Sequence, residues 1–115
     1  MTVRKLTNLL AAHEVDGSAE PDAPVTCGYA CDLLSWVLAH GQKGMAWCTV
    51  QTHVNVVAIA VLMEMACVIF VEGNQPEETA VAKAREEGIA LLTTDKTAYE
   101  VCGLMMGHGV QPPRE

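Results

Sequence analysis

Cys67-Val68-Ile69-Phe70-Val71 is an unbroken run of β-forming apolar residues. A strand with one wet face alternates apolar and polar residues. This run does not, so it predicts a strand covered on both faces, as in the middle of a parallel sheet. Just before it, Val54, Val57, Ala58, Val61, Leu62 and Met65 recur at the helical period and predict a helix over 54–65 whose stripe faces the sheet. Taken whole, 54–71 has nearly the apolar length of a membrane span. Asn55 and Glu64 interrupt it and its period changes midway, so it reads as helix followed by strand.

The same alternation continues in both directions. Upstream, Met45–Val50 predicts a strand, and Gly41-Gln42-Lys43-Gly44 stops a helix over 32–40 with Leu33, Leu34, Val37 and Leu38 on its buried side. Val25–Tyr29 reads as a short strand and 16–24 as a polar surface loop. The chain opens with a helix capped by Thr2 and ending near His13. Downstream, Pro76, Glu77 and Glu78 at one end and Gly88 at the other frame a helix. Ile89–Thr93 then gives a strand, and a last helix carries Tyr99, Cys102, Met105 and Met106 behind Asp95 or a neighbouring Thr as cap. Strands alternating with helices imply parallel units with right-handed crossovers. The expected fold class is α/β, a layered α/β/α single domain over 1–115 with a mainly parallel sheet of about four strands.

Composition excludes several function classes. The 115 residues carry a formal charge of −7 with a pI near 4.9, and the seven Lys and Arg residues are scattered, which disfavours nucleic acid as a partner. Only Trp36, Trp47, Tyr29, Tyr99 and Phe70 are aromatic, too few for a base-stacking platform. The opening residues carry no secretory signal pattern and no membrane span is expected, so a cytoplasmic location follows as an expectation. Cys27, Cys31, Cys48, Cys67 and Cys102 form an odd set without a CxxC pair, and they read as reduced thiols rather than disulfides or a zinc site.

The sharpest concentration of polar groups is Thr49-Val50-Gln51-Thr52-His53-Val54-Asn55, where a strand hands over to a helix N-terminus. Free N–H groups and the positive end of the helix dipole suit an anion there, and open α/β sheets gather ligands beyond the carboxyl ends of their strands. Thr49, Gln51, Thr52, His53 and Asn55 are therefore candidate ligand-binding residues. Equally, Thr52 can simply cap the helix, with Asn55 reaching back and His53 packing or facing water. Asp32 joins the candidates at the start of the preceding helix, where an acidic residue also serves as a dipole-stabilising cap. His40 and His108 fit helix C-termini and suggest no catalysis. A Cys–His pair of Cys48 with His53, with Cys27 and Cys31 nearby, is the one starting point for a thiol or metal enzyme. No cofactor can be named.

Four stretches carry a resemblance: Gly28–Ser35, Thr49–Ala58, Cys67–Val71 and Glu87–Leu92. Together they resemble the DRTGG domain family, whose relatives form regulatory parts of some pyrophosphatases and are similar to the N-terminal domain of HPr kinase/phosphorylase. The resemblance implies an α/β/α fold, frequent self-association and no catalytic activity of the domain itself. The string Asp-Arg-Thr-Gly-Gly is absent, Val71-Glu72-Gly73 stands where a second glycine is common, and no P-loop is present. Kinase-type ATP chemistry is therefore not carried over.

These readings combine into a non-catalytic regulatory or sensory module that recognises a small anionic metabolite or nucleotide through Gln51–Asn55. The helix over 54–65 adds an expectation of homodimerisation. Val56, Ile59, Ala60 and Met63, opposite its sheet-facing stripe, are apolar too, and a helix hydrophobic all round is buried all round. A second copy, or the opening helix, would have to cover that side.

Overall fold

A computed structural model describes residues 1–16 and 19–114. The elements run α1 (Val3–Leu10), β1 (His13–Val15), β2 (Cys27–Ala30), α2 (Leu34–His40), β3 (Met45–Thr49), α3 (Val54–Leu62), β4 (Cys67–Phe70), α4 (Glu78–Glu87), β5 (Ala90–Thr93) and α5 (Ala98–Gly107). They build one five-stranded sheet in the order β1-β5-β4-β3-β2. β2, β3, β4 and β5 are parallel in consecutive order, and β1 runs antiparallel along the outer edge of β5.

The unbroken apolar runs behave as their composition requires. Every residue of β3, β4 and β5 is buried, and successive side chains go to opposite faces. Met45, Trp47, Val68, Phe70 and Leu91 pack under α2, α3 and α4. Ala46, Cys48, Cys67, Ile69 and Leu92 pack under α1 and α5. The three crossover helices all join neighbouring parallel strands in the same direction. Right-handedness therefore puts α2, α3 and α4 on one face, leaving the terminal helices for the other. The expected α/β/α layering is the observed one.

The sheet has one strand more than the sequence pattern reveals. Residues near His13 were expected to close the first helix, but Thr2 caps α1 by accepting from the Lys5 N–H at 3.2 Å, and Ala11 ends it in the left-handed region at φ 50°. His13, Glu14 and Val15 then pair with Thr93, Leu92 and Leu91. Three residues are too few to show a period, and what makes them a strand is the free edge of β5.

α3 corrects the expected phase of the 54–65 helix. Val56, Val57 and Ala60 are its fully buried residues, whereas Ala58 is exposed and Leu62 is 69% exposed. The exposed positions Asn55, Ala58 and Leu62 form one stripe. A helix apolar on all sides has no periodic signal to set its rotation. Asn55, its one polar residue, was the available marker of the solvent side. The all-round apolar character is also explained without a second chain, because α2 and α4 flank α3 on the same face of the sheet. α1, suggested as an alternative cover, lies on the opposite face.

α2 departs from its expected face as well. Val37 is buried, but Leu33 and Leu38 are exposed at 62% and 46%, and Trp36 is half exposed. At an edge of the sheet, seven residues of helix reach the core through little more than one side chain.

Candidate functional site

The polar groups singled out from sequence meet at the carboxyl ends of β2 and β3. Asp32, in the turn leaving β2, does not cap α2; Leu33 holds the cap position with no side-chain bond. The Asp32 carboxylate reaches across to β3 instead. Its Oδ1 accepts from Thr49 Oγ1 at 2.8 Å and from the Val50 N–H at 2.9 Å. The Thr49 hydroxyl in turn accepts from the Gln51 N–H at 3.1 Å, and Gln51 Nε2 donates to the Asp32 carbonyl at 3.2 Å. Two further bonds fasten the same loops, from Trp47 Nε1 to the Cys31 carbonyl at 2.8 Å and from the Cys31 N–H to the Cys48 carbonyl at 3.2 Å. Thr49 is 1% exposed, so its hydroxyl needs these partners.

Thr52, His53 and Asn55 follow at the start of α3. The helix cap is His53, not Thr52: its Nδ1 accepts from the Asn55 N–H at 3.1 Å. An imidazole two residues before the donor supplies the same acceptor that a hydroxyl would. The Thr52 carbonyl accepts from the Glu77 N–H at 3.1 Å and ties this loop to the entry of α4. Asn55 contributes its backbone N–H on the outward stripe. Asp32, Thr49 and Gln51 thus form one network, with His53 and Asn55 as a separate cap beside it. Asp32, Val50, Gln51 and His53 are all exposed, so the site is an open ledge along the strand ends.

Cys48 and His53 are not brought together. Cys48 points under α1 and α5, while His53 is exposed at the start of α3 on the other face. Burial, with Cys102 and Asp32 adding to it, pushes the Cys48 thiol up to about 12, the reverse of an activated nucleophile. Cys27 lies under α2 and α3, and burial raises it as well. Among the described residues, no group of three or more His, Cys, Asp and Glu side chains is placed to hold a metal ion. The C-terminal histidines behave as expected, His40 and His108 donating from Nδ1 to the Trp36 and Leu104 carbonyls at 2.9 Å.

One concave site escaped the sequence reading. A cavity of about 500 Å³ opens between β2, α5 and residues 110–114, with Ala30, Cys102, Met106 and Pro113 in its wall. The tail is held to the sheet edge, where the Gln111 carbonyl accepts from the Gly28 N–H at 2.9 Å. The only sequence signal was the pair Pro112-Pro113, rigid residues that ask for no backbone donor partner.

No protein-family model and no curated protein sequence matches this chain. Among solved structures, the fold is similar to the CBS and DRTGG domains of the regulatory region of Clostridium perfringens pyrophosphatase, crystallised with its activator diadenosine tetraphosphate. The TM-score is 0.72 at 13% sequence identity, over 97% of this chain and 47% of that one, so the chain spans about half the length of its structural neighbour. Likeness at that identity is likeness of fold, and the fold of this chain is that of a DRTGG-like α/β domain.

Proposed function

We propose that this chain is a non-catalytic regulatory module, one domain over 1–115, that binds a small anionic metabolite or nucleotide at the carboxyl edge of β2 and β3. The observation that carries this reading is the Asp32 network. Oδ1 is consumed by Thr49 and Val50, while Oδ2 makes no hydrogen bond among the described residues. A carboxylate held in place with a free oxygen accepts sugar hydroxyls well, which favours a nucleotide over bare phosphate. Gln51, His53 and the first turn of α3 lie beside it for the anionic part. The nucleotide activator of the pyrophosphatase regulatory region supports the ligand class. The separation of Cys48 from His53 leaves the thiol-enzyme alternative without a geometry. Five free cysteines fit a reducing cytoplasm, and among the described residues no helix is long and apolar enough to cross a membrane.

Thermal-shift measurements with nucleotides and phosphorylated metabolites test the reading. A ligand at a hundredfold its Kd should stabilise the fold by about 2.7 kcal/mol. Asp32→Asn and Gln51→Ala should each reduce that shift. If no such compound stabilises the protein, or if both variants respond like the parent, the assignment fails.

The proposal extends to a homodimer through the outer surface of α2 and α3, where Leu38 and Leu62 stand in solvent. Light scattering should give twice the 12.3 kDa monomer mass, and Leu38→Asp with Leu62→Asp should return it to the monomer. A parent protein that scatters as a monomer at micromolar concentration removes this part.

A further inference from the structure

We infer that the cavity beneath the C-terminal tail is a second, independent binding site, built for a flat apolar molecule with a single negative charge, such as an aromatic carboxylate or sulfonate. None of its lining residues belongs to the Asp32 network or to the start of α3. Its volume of about 500 Å³ lies within the range of small-molecule sites.

The cavity is built rather than left over. Its roof is a strap fixed at both ends. Val110, 3% exposed, donates its N–H to the Met105 carbonyl at 2.9 Å, and the Gln111 carbonyl accepts from Gly28. At the far end, the Gln42 side chain and the Arg114 backbone exchange two hydrogen bonds, Gln42 Nε2 to the Arg114 carbonyl and the Arg114 N–H to Gln42 Oε1 at 3.2 Å. Between these anchors, Pro112 and Pro113 present ring faces and no donors. Opposite them, Met105 and Met106 offer polarizable side chains that adapt to aromatic ligands. His40 stands in the wall, stacked on Trp36 with ring centroids 4.2 Å apart.

Charge selects the ligand. The chain has 14 acidic residues, yet among the described residues no acidic side chain lines this cavity. Arg114 does line it and pairs with no carboxylate among the described residues, whereas Arg4, Lys43, Lys83 and Arg85 each have one. The strand pleat adds a donor. It turns the Cys31 N–H inward to Cys48 and the Gly28 N–H outward to the tail, so the Ala30 N–H also faces outward, on the cavity side. Arg114 at the rim and one backbone N–H beside an apolar wall match one anionic group. A polyphosphate would bring more charge than the site can meet.

Anilinonaphthalene sulfonate and its neutral analogue phenylnaphthylamine are the probes, read by fluorescence titration of the full chain. In parallel, iodoacetamide labelling of Cys102, which lines the cavity, is mapped by peptide mass spectrometry. The bound sulfonate should slow Cys102 labelling at least about fivefold, a protection set by occupancy, and leave Cys31, on the other face, unchanged. Arg114→Gln should weaken the sulfonate about two- to fivefold and leave the neutral analogue unaffected. Ala30→Phe, at an exposed position in the wall, should abolish both binding and protection. Met106→Trp, filling the cavity from α5, repeats that test if Ala30→Phe disturbs the fold. Gln51→Ala should change nothing, which separates this site from the nucleotide ledge. Unprotected Cys102 with probe bound, or an Arg114→Gln effect equal for both probes, overturns the inference.

Discussion

Thr49 Oγ1 donates to Asp32 Oδ1 at 2.8 Å, joining the ends of two parallel strands through residues 17 apart in sequence. The hydroxyl is buried and the carboxylate is exposed, so the bond fastens a surface loop to the core. Removing the acceptor leaves Thr49 buried without its partner and frees the Val50 N–H. Asp32→Ala should destabilise the fold by about 1.5–3 kcal/mol, the range for bonds to a charged group. Asp32→Asn, which keeps an acceptor oxygen, should cost about half as much. Urea unfolding curves with unchanged slope check both, and an Asp32→Ala protein as stable as the parent contradicts the structural role.

Burial pushes the thiols of Cys48 and Cys67 up to about 12, from an ordinary value of 9.0. In the unfolded chain they ionise first, so between those values the unfolded state holds fewer protons than the native state. Stability should be intact below pH 9 and decline as pH rises towards 12, by about 1.4 kcal/mol per pH unit for each thiol. Cys67→Ala should flatten the decline while lowering stability at neutral pH. A stability that rises with pH over this interval would contradict the burial.

The two tryptophans differ in environment. Trp47 is fully buried with its indole N–H bonded to the Cys31 carbonyl, whereas Trp36 is half exposed on α2. Trp36→Phe should leave a single blue-shifted emission that acrylamide quenches poorly. Trp47→Phe should leave a red-shifted, readily quenched one and destabilise the fold by about 1–3 kcal/mol through the unpaired carbonyl and the void. Equal quenching of the two variants would contradict this placement.

Gly44 and Gly88 share a left-handed backbone, at φ 79° and 73°, but not the same surroundings. A Cβ at Gly88 meets nothing within 4 Å, and Gly88→Ala should cost about 1 kcal/mol for the conformation alone. At Gly44 a Cβ would fall 2.5 Å from Thr26 Oγ1, a group bonded to the Lys43 carbonyl at 2.8 Å. Gly44→Ala should therefore cost appreciably more, about 2–4 kcal/mol. Thermal unfolding of the two variants gives the order, and equal losses would deny the steric difference.

Much of this protein was legible in its sequence because the deciding interactions are local. Cys67–Phe70 carries no polar residue, so it had to be covered on both sides, and strands alternating with helices had to be layered in parallel. Gly88 closes α4 in the left-handed conformation expected of it. The last helix has a Thr cap as anticipated, but the residue is Thr97, completed by Glu100 in a capping box, rather than Asp95.

Tertiary structure decided everything that depends on which distant segment lies alongside. His13–Val15 became a strand only because β5, 80 residues away, offered an edge. α3 took its rotation from α2, α4 and the sheet, since an all-apolar helix has no preferred face of its own. Asp32 looked like a cap and became a clasp because strand pairing set Thr49 beside it. The cavity under the tail needed Gly28, Gln42 and Met105 to be placed before Gln111–Arg114 could arch over them. Periodicity reports how a residue relates to its neighbours in the chain. Pairing, rotation and concavity arise from packing between segments that share no local signal.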